Sequence, residues 1–307
     1  MDKILTIGIP TYNRSRFIVA QLKRLSTLDV QHRELIEIFV SDNCSPDNTQ
    51  DAIISFRNQT NLDFTYHRNN TNLGMDGNFK NCFQFAKTKY VWVLGDDDFI
   101  NIKKLESLVD YLYETRLEDF GLIHLAIHPQ EAEDFLIYDD ANKLLKDVGI
   151  WSTFLSGNIV NTKYIAQFNF EQYAGSFFTQ VPLYLKTALN SKNNLMVNIK
   201  LFEDSEERGV NGGYNLFQVF VSNLLAIYKE FLSKGLKLDT YESMRDDILK
   251  FVLPYVHLLL LKPNKTRWSV DNGWAILFKE YGKIKVLSNL FAYESKRILK
   301  GIYHKIF

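Results

Sequence analysis

Three short apolar runs in the first hundred residues, 4–9, 36–40 and 90–95, each end in a polar cluster, with helical periodicity between them. Runs this short, rich in β-branched and aromatic residues, read as buried strands. Strands alternating with helices constrain the chain to an α/β fold, in which a mostly parallel central sheet carries flanking helices. Helices are expected over 16–28, 49–56, 77–86 and 103–115, and a further strand over 64–67. In such sheets ligands gather beyond the carboxyl ends of the strands. The polar clusters stand at those ends: Pro10-Thr11-Tyr12-Asn13, Asp42-Asn43-Cys44-Ser45-Pro46-Asp47 and Asp96-Asp97-Asp98.

The pattern thins after residue 100. Strands are expected at 121–127 and 195–202, a helix at 181–189, and a turn feeding a strand at 154–160; residues 130–143 have polar strand-and-loop character. From about residue 214 onward the segments 217–232, 241–261 and 274–306 are mostly helical. A loop at 205–213, with Gly209, Gly212 and Gly213, sets the expected boundary between an α/β domain, 1–210, and a helical C-terminal region, 211–307.

Charge and cysteine content exclude some partners. A net charge of +0 supplies no field that selects nucleic acid. Cys44 and Cys82 make neither a disulfide framework nor a zinc site. The N-terminus has no basic segment followed by a long apolar one. The apolar stretch 248–261 is interrupted by Lys250, Pro254 and His257, and is shorter than the roughly 20 residues that span a bilayer. The expected location is the cytoplasm, or the inner face of the cell membrane.

Adjacent carboxylates repel one another and resist burial, so three at the end of a core strand need cations. A divalent metal carrying a phosphate is one such partner, because Mg²⁺ and Mn²⁺ take one or two carboxylates and complete their shell with phosphate oxygens. An acidic turn at a helix N-terminus is the plainer alternative. Asp42, at its own strand end, can accept hydrogen bonds from base or ribose hydroxyls, or can close an Asx turn. Gly74 and Gly77 precede or open a helix and allow close backbone approach.

Together, Pro10 to Asn13, Val40 to Thr49, Asn72-Leu73-Gly74 through Asn78, and Val93 to Asp98 resemble the ordered signature of family 2 glycosyltransferases of the GT-A fold, bacterial surface-polysaccharide type. The resemblance covers roughly residues 3–115. It implies that Pro10, Thr11, Tyr12, Asn13, Asp42, Asn43, Gly74, Asn78, Asp96 and Asp97 hold the nucleotide. It implies Asp98 with Asp96 as ligands of Mn²⁺ or Mg²⁺, although Gly95 leaves the register of the Asp-x-Asp motif open. The implied reaction moves a sugar from a nucleotide-diphosphate donor, UDP-sugar by default, to a hydroxyl of a glycan or lipid-linked glycan, with inversion. Such a reaction takes a proton from the acceptor hydroxyl. Where the family often places a Glu-Asp pair opening a helix, this chain has Thr179-Gln180. Glu171, Glu203 and Asp204 are the candidate bases. Trp151, Ser156 and Tyr173 are candidate acceptor walls. Two alternatives stand beside this reading: a catalytically impaired carbohydrate- or nucleotide-binding protein of the same fold, and a nucleotidyltransferase, whose Gly-rich phosphate loop is missing after residue 9.

Residues 278–307 carry Lys279, Lys283, Lys285, Lys296, Arg297, Lys300 and Lys305 among apolar residues, against Glu280 and Glu294. A basic amphipathic segment of this kind suits peripheral membrane contact or homo-oligomer formation; a packed helix with a solvated Lys face is the simpler alternative.

Overall fold

A computed structural model describes residues 2–203, 213–261 and 268–306. The chain forms two compact units, Met1–Gly209 and Val210–Phe307.

The first unit is built on one eight-stranded sheet. Its strands are β1 (Leu5–Thr11), β2 (Ile36–Asp42), β3 (Thr65–Arg68), β4 (Tyr90–Val93), β5 (Phe120–Leu125), β6 (Phe135–Tyr138), β7 (Asn158–Asn161) and β8 (Asn193–Val197), in the spatial order β3-β2-β1-β4-β7-β5-β8-β6. Strands β3, β2, β1 and β4 run parallel, with Thr11 opposite Asp42 and Gly8 opposite Val93. That register brings the ends of β1, β2 and β4 to one edge. The antiparallel strand β7 then pairs with β4 on one side and β5 on the other, and β6 closes the far edge antiparallel to β8. The sheet is therefore parallel in its N-terminal half and mixed beyond it.

The helices of this unit are α1 (Ser15–Leu25), α2 (Val30–Leu35), α3 (Thr49–Arg57), α4 (Gly74–Phe85), α5 (Ile102–Glu114), α6 (Ala141–Val148) and α7 (Gln180–Asn190). Two of them lie outside the pattern read from sequence. Helix α2 is a short turn-and-a-half before β2. Helix α6 starts inside the stretch expected to be strand and loop: the Asp140 side chain accepts Asn142 N–H at 2.8 Å and caps it, and Leu144, Leu145 and Val148 bury its inner face. The core strands are buried on both faces, and Tyr90 and Trp92 are fully enclosed. Burial of each such side chain is worth roughly 1.5–3 kcal/mol. The indole of Trp92 donates to Ser156 O at 2.7 Å, which removes the one polar cost of hiding it.

The second unit holds α8 (Leu224–Phe231), α9 (Leu238–Leu261), α10 (Gly273–Tyr281) and α11 (Lys283–Ile306). A π-helical stretch, Gln218–Asn223, leads into α8. Gly282, at φ +79°, breaks what sequence periodicity reads as one helix into α10 and α11. The Lys285–Asp246 ion pair and the His257–Glu294 hydrogen bond, both at 2.6 Å, tie α11 to α9. Among the described residues no helix is long and apolar enough to cross a membrane.

Candidate active site

The clusters at the ends of β1, β2 and β4 meet in one hydrogen-bonded patch. Asp96 is 3% exposed. One of its oxygens accepts the Thr11 hydroxyl at 2.7 Å, and the other accepts Arg14 Nη1 at 2.8 Å. The same guanidinium nitrogen lies 3.1 Å from Asp97. The cation that three strand-end carboxylates demand is thus supplied in part by Arg14, one residue past the Pro10 to Asn13 segment. Burial raises the Asp96 pKa to about 6, although Arg14 and Thr11 pull it down.

Asp98 turns back toward the sheet. Its Oδ2 accepts the Ser156 hydroxyl at 2.6 Å, and Ser156 Oγ in turn accepts Gly95 N–H at 2.8 Å. A Cβ on Gly95 would stand 2.5 Å from Asp98 Oδ2, so any larger residue there must displace that carboxylate. Ser156, read from sequence as an acceptor wall, thus braces the acidic turn. Gln21, buried beneath it, donates to Asp98 O at 3.1 Å. Asp97 and Asp98 are half-buried, less enclosed than Asp96, and offer hard oxygen donors, which suits Mg²⁺ or Mn²⁺ completed by phosphate. Asp96 has both oxygens engaged by Thr11 and Arg14. Elsewhere, Asp29, His32 and Glu106 bring donor atoms within 4.8 Å of one another, but Lys103 Nζ sits 3.2 Å from Asp29 and 2.9 Å from Glu106, neutralising that cluster from within.

Asp42 is fully buried. Its Oδ1 accepts Ser45 N–H at 2.9 Å, its Oδ2 accepts the Tyr66 hydroxyl at 2.8 Å, and Arg68 Nε lies 3.5 Å away. Burial and the Asp42 carboxylate together push the Tyr66 phenol pKa upward. Asp42 therefore organises a strand-end turn in which Ser45, Tyr66 and Arg68 surround it. Ser45 Oγ also accepts Asn13 N–H at 2.9 Å, joining this turn to the end of β1. Asn13 and Cys44 both hold left-handed backbone, at φ +57° and +61°.

Asn43 and Asn78 extend the patch. Asn43 donates to Asn72 Oδ1 and Gly74 O, and accepts from Asn69 and from Leu73 N–H, which pins the segment before α4. Asn78, on α4, accepts the Ser41 hydroxyl at 2.7 Å and donates to Ser41 O at 3.0 Å. Tyr12 is 41% exposed at the rim, while Pro10 lies within β1, paired with Ser41.

The remaining candidates scatter. Glu171, 72% exposed, pairs with Lys80 at 2.5 Å. Backbone bonds set Glu203 beside Phe99, yet its side chain pairs with Arg24 at 2.5 Å. Asp204 lies outside the described residues. Gln180, at the start of α7, is buried, and its amide donates to Thr153 O at 3.3 Å. Trp151 meets His128 edge-on at 5.3 Å, and Tyr173 packs inward against Phe168. Sequence reading did not single out Arg14, Ser45, Tyr66 or Arg68 for the patch. For Arg14 a signal existed: buried acids need a cation, and it adjoins the first motif.

Residues 6–148 match the family described as glycosyl transferase family 2. This segment belongs to that family. The abequosyltransferase RfbV of Salmonella typhimurium is 36% identical over 109 residues, a match covering 36% of this chain and 32% of the relative. The poly(ribitol-phosphate) β-N-acetylglucosaminyltransferase TarS of Staphylococcus aureus is 31% identical over 110 residues, 36% of this chain and 19% of that one. Both relatives thus share with this chain a third or less of their own length. The crystal structure of TarS residues 1–349 with UDP-GlcNAc superposes with a TM-score of 0.60 at 15% identity, over 85% of this chain and 76% of that one. The mannosyltransferase PcManGT of Pyrobaculum calidifontis, solved with GDP-Man and Mn²⁺, gives 0.53 at 15% identity over 99% and 88%. The architecture of the family 2 segment and the strands that follow it is the GT-A fold.

Proposed function

We propose that this chain is a glycosyltransferase that moves a sugar from a nucleotide-diphosphate donor to a hydroxyl of a glycan or lipid-linked glycan. The observation that carries the reading is the joining of Thr11, Asp42, Asn43, Asn78 and Asp96 in one patch at the carboxyl edge of a family 2 segment. Ligands of open α/β sheets bind at this edge. Tyr12 offers a ring at the rim, and Arg14 offsets part of the negative charge of Asp96 and Asp97. Asp98, with Asp97, is the side-chain pair that would hold Mn²⁺ or Mg²⁺; a bound ion there supplies charge stabilisation for the leaving diphosphate. TarS with UDP-GlcNAc and PcManGT with GDP-Man and Mn²⁺ support donor and metal of these classes. Inversion and UDP as the nucleotide belong to the same proposal.

Helix α11 exposes Ile284, Leu287, Phe291 and Ile298, spaced to share one face, with Lys283 and Lys296 also exposed. That face suits peripheral contact with an anionic membrane, which would bring a cytoplasmic enzyme to a lipid-linked acceptor. Self-association through the same face is the alternative use. A catalytically impaired binding protein is the second functional reading, favoured by Gln180 alone.

Thermal unfolding with UDP, dTDP, CDP and GDP, each with and without Mn²⁺, tests the reading. One diphosphate is expected to stabilise the protein by about 2–4 kcal/mol near saturation, and Asp98→Asn is expected to remove the part that depends on Mn²⁺. No stabilisation by any of the four refutes the donor site. Nucleotide binding without turnover of any nucleotide sugar favours the impaired-protein reading.

A further inference from the structure

The segment before β7 reaches the acidic turn through one side chain. Ser156 is fully buried, and its hydroxyl stands between Gly95 and Asp98. It accepts Gly95 N–H at 2.8 Å and donates to Asp98 Oδ2 at 2.6 Å. An amide N–H can only donate, so the hydroxyl proton is directed at the carboxylate. Ser156 is itself held in place. Its carbonyl accepts the Trp92 indole at 2.7 Å, from the strand that feeds the turn. Leu155–Gly157 form a single 3₁₀ turn that opens directly into β7, which is hydrogen-bonded between β4 and β5. From α1, the fully buried Gln21 donates to Asp98 O at 3.1 Å. Main chain and side chain of Asp98 are thus both fixed, the latter by a residue 58 positions further along the chain.

Asp97 is held in a matching way. Its Oδ1 lies 3.1 Å from Arg14 Nη1, the nitrogen that also reaches Asp96. Each of the two carboxylates that would hold the ion therefore has one oxygen engaged within the protein, Oδ1 of Asp97 and Oδ2 of Asp98. Divalent ions differ in what they ask of a carboxylate. Ca²⁺ takes about 6–8 oxygens in a flexible shell and readily uses both oxygens of one carboxylate. Mg²⁺ holds to a near-octahedral shell and keeps several waters beside one or two carboxylates. Mn²⁺ shares the octahedral oxygen shell. A chelating carboxylate spans too narrow an angle for that geometry, so these two ions are suited by one oxygen from each acid.

We propose that Ser156 sets the ion class of the site: by holding Asp98 Oδ2 it makes Asp98 a one-oxygen ligand, and so favours Mg²⁺ and Mn²⁺ over Ca²⁺. The inference rests on the glycosyltransferase reading above and deepens it, assigning metal selectivity to a residue outside the acidic turn. Ser156 is a positioning residue, acting through Asp98. Chelation by both oxygens of Asp98 would take Oδ2 from the Ser156 hydroxyl and leave a buried donor without its acceptor. An ion that uses one oxygen of Asp98 leaves that hydrogen bond in place.

The test is thermal unfolding of wild type and Ser156→Ala with whichever of UDP, dTDP, CDP and GDP stabilises the wild type most, titrated with Mn²⁺ and, separately, with Ca²⁺. The metal-dependent part of the Tm shift gives a midpoint for each ion. Wild type is expected to need about 10-fold more Ca²⁺ than Mn²⁺ or beyond. In Ser156→Ala the Mn²⁺ midpoint is expected to rise by about 10-fold, the usual loss when a hydrogen bond that orients a metal ligand is removed. The Ca²⁺ midpoint is expected to rise less, so that the ratio of the two narrows by about threefold or more. A general loss of structure moves both midpoints together and leaves their ratio alone. Ser156→Cys keeps a weak donor and is expected to fall between the two proteins; it carries the same comparison if Ser156→Ala does not fold. A ratio that narrows by less than about threefold in the variants, or wild-type midpoints within about threefold of each other, overturns the proposal and leaves the donor reading intact. Nucleotide stabilisation of the wild type that neither ion changes overturns the metal pair and the proposal together, and no stabilisation by any of the four nucleotides overturns the donor site as well.

Discussion

Asp96→Asn is expected to make the protein more stable, and only at high pH. The Asp96 carboxyl is almost wholly buried, and its pKa stands at about 6 against 3.8 for the free group. Keeping it ionised in the fold therefore costs up to about 3 kcal/mol relative to the unfolded chain. The sign follows from proton counts. Between pH 4 and 6 the native state binds more protons at this site than the unfolded state, so its contribution to stability falls as pH rises through that window. Above pH 6 the penalty is complete; below pH 4 both states are protonated and it vanishes. Asparagine mimics the protonated acid. Its amide oxygen can accept from Arg14, and its amide nitrogen can donate to the Thr11 hydroxyl, which accepts as readily as it donates. Arg14 keeps Asp97 at 3.1 Å. At pH 8 the variant is expected to gain up to about 3 kcal/mol, or roughly 6–12 °C in the Tm of a unit of this size, and at pH 4.5 little. Urea or thermal unfolding of both proteins at pH 4.5, 6 and 8 measures this. A difference that does not vary with pH, or a variant less stable than wild type at pH 8, refutes the account of Asp96 as a buried, incompletely compensated charge.

Two further outcomes follow from neighbouring groups. His124 is buried beside Asn158 Oδ1 at 2.9 Å, and burial lowers its pKa to about 4. Its contribution is full above the unfolded value of about 6.5 and is lost as pH falls toward 4, the opposite sign to Asp96; His124→Gln should flatten the acid limb of a stability profile, and a limb of unchanged steepness would sink this assignment. Gly95→Ala places a methyl 2.5 Å from Asp98 Oδ2 and must displace that carboxylate. It is expected to cost about 1–2 kcal/mol and to remove Mn²⁺-dependent stabilisation by the nucleotide, a loss that thermal shift with and without Mn²⁺ would detect.

Apart from the short α2, local sequence determined the alternation of strands and helices through residue 115, because buried parallel strands are short unbroken apolar runs and their helices carry a clear 3.6-residue period. It also placed Thr11, Asp42 and Asp96 at strand ends, where a parallel register must bring them to one edge. The antiparallel insertion of β7 and the pairing of β8 with β5 were decided by tertiary structure, since a run such as Asn158–Asn161 carries no mark of its neighbour or direction. Side-chain partners were decided there too. Asp42 and Asp96 look alike in sequence, yet one is enclosed by Ser45, Tyr66 and Arg68 and the other by Thr11 and Arg14. Asp76 was visible only as a residue between two glycines. The turn that holds its carboxylate, at Gly175, lies 99 residues away in the chain. Chain pattern reports which residues must be buried or must end a strand; electrostatic pairing depends on distances between segments far apart in sequence, which only the folded chain sets.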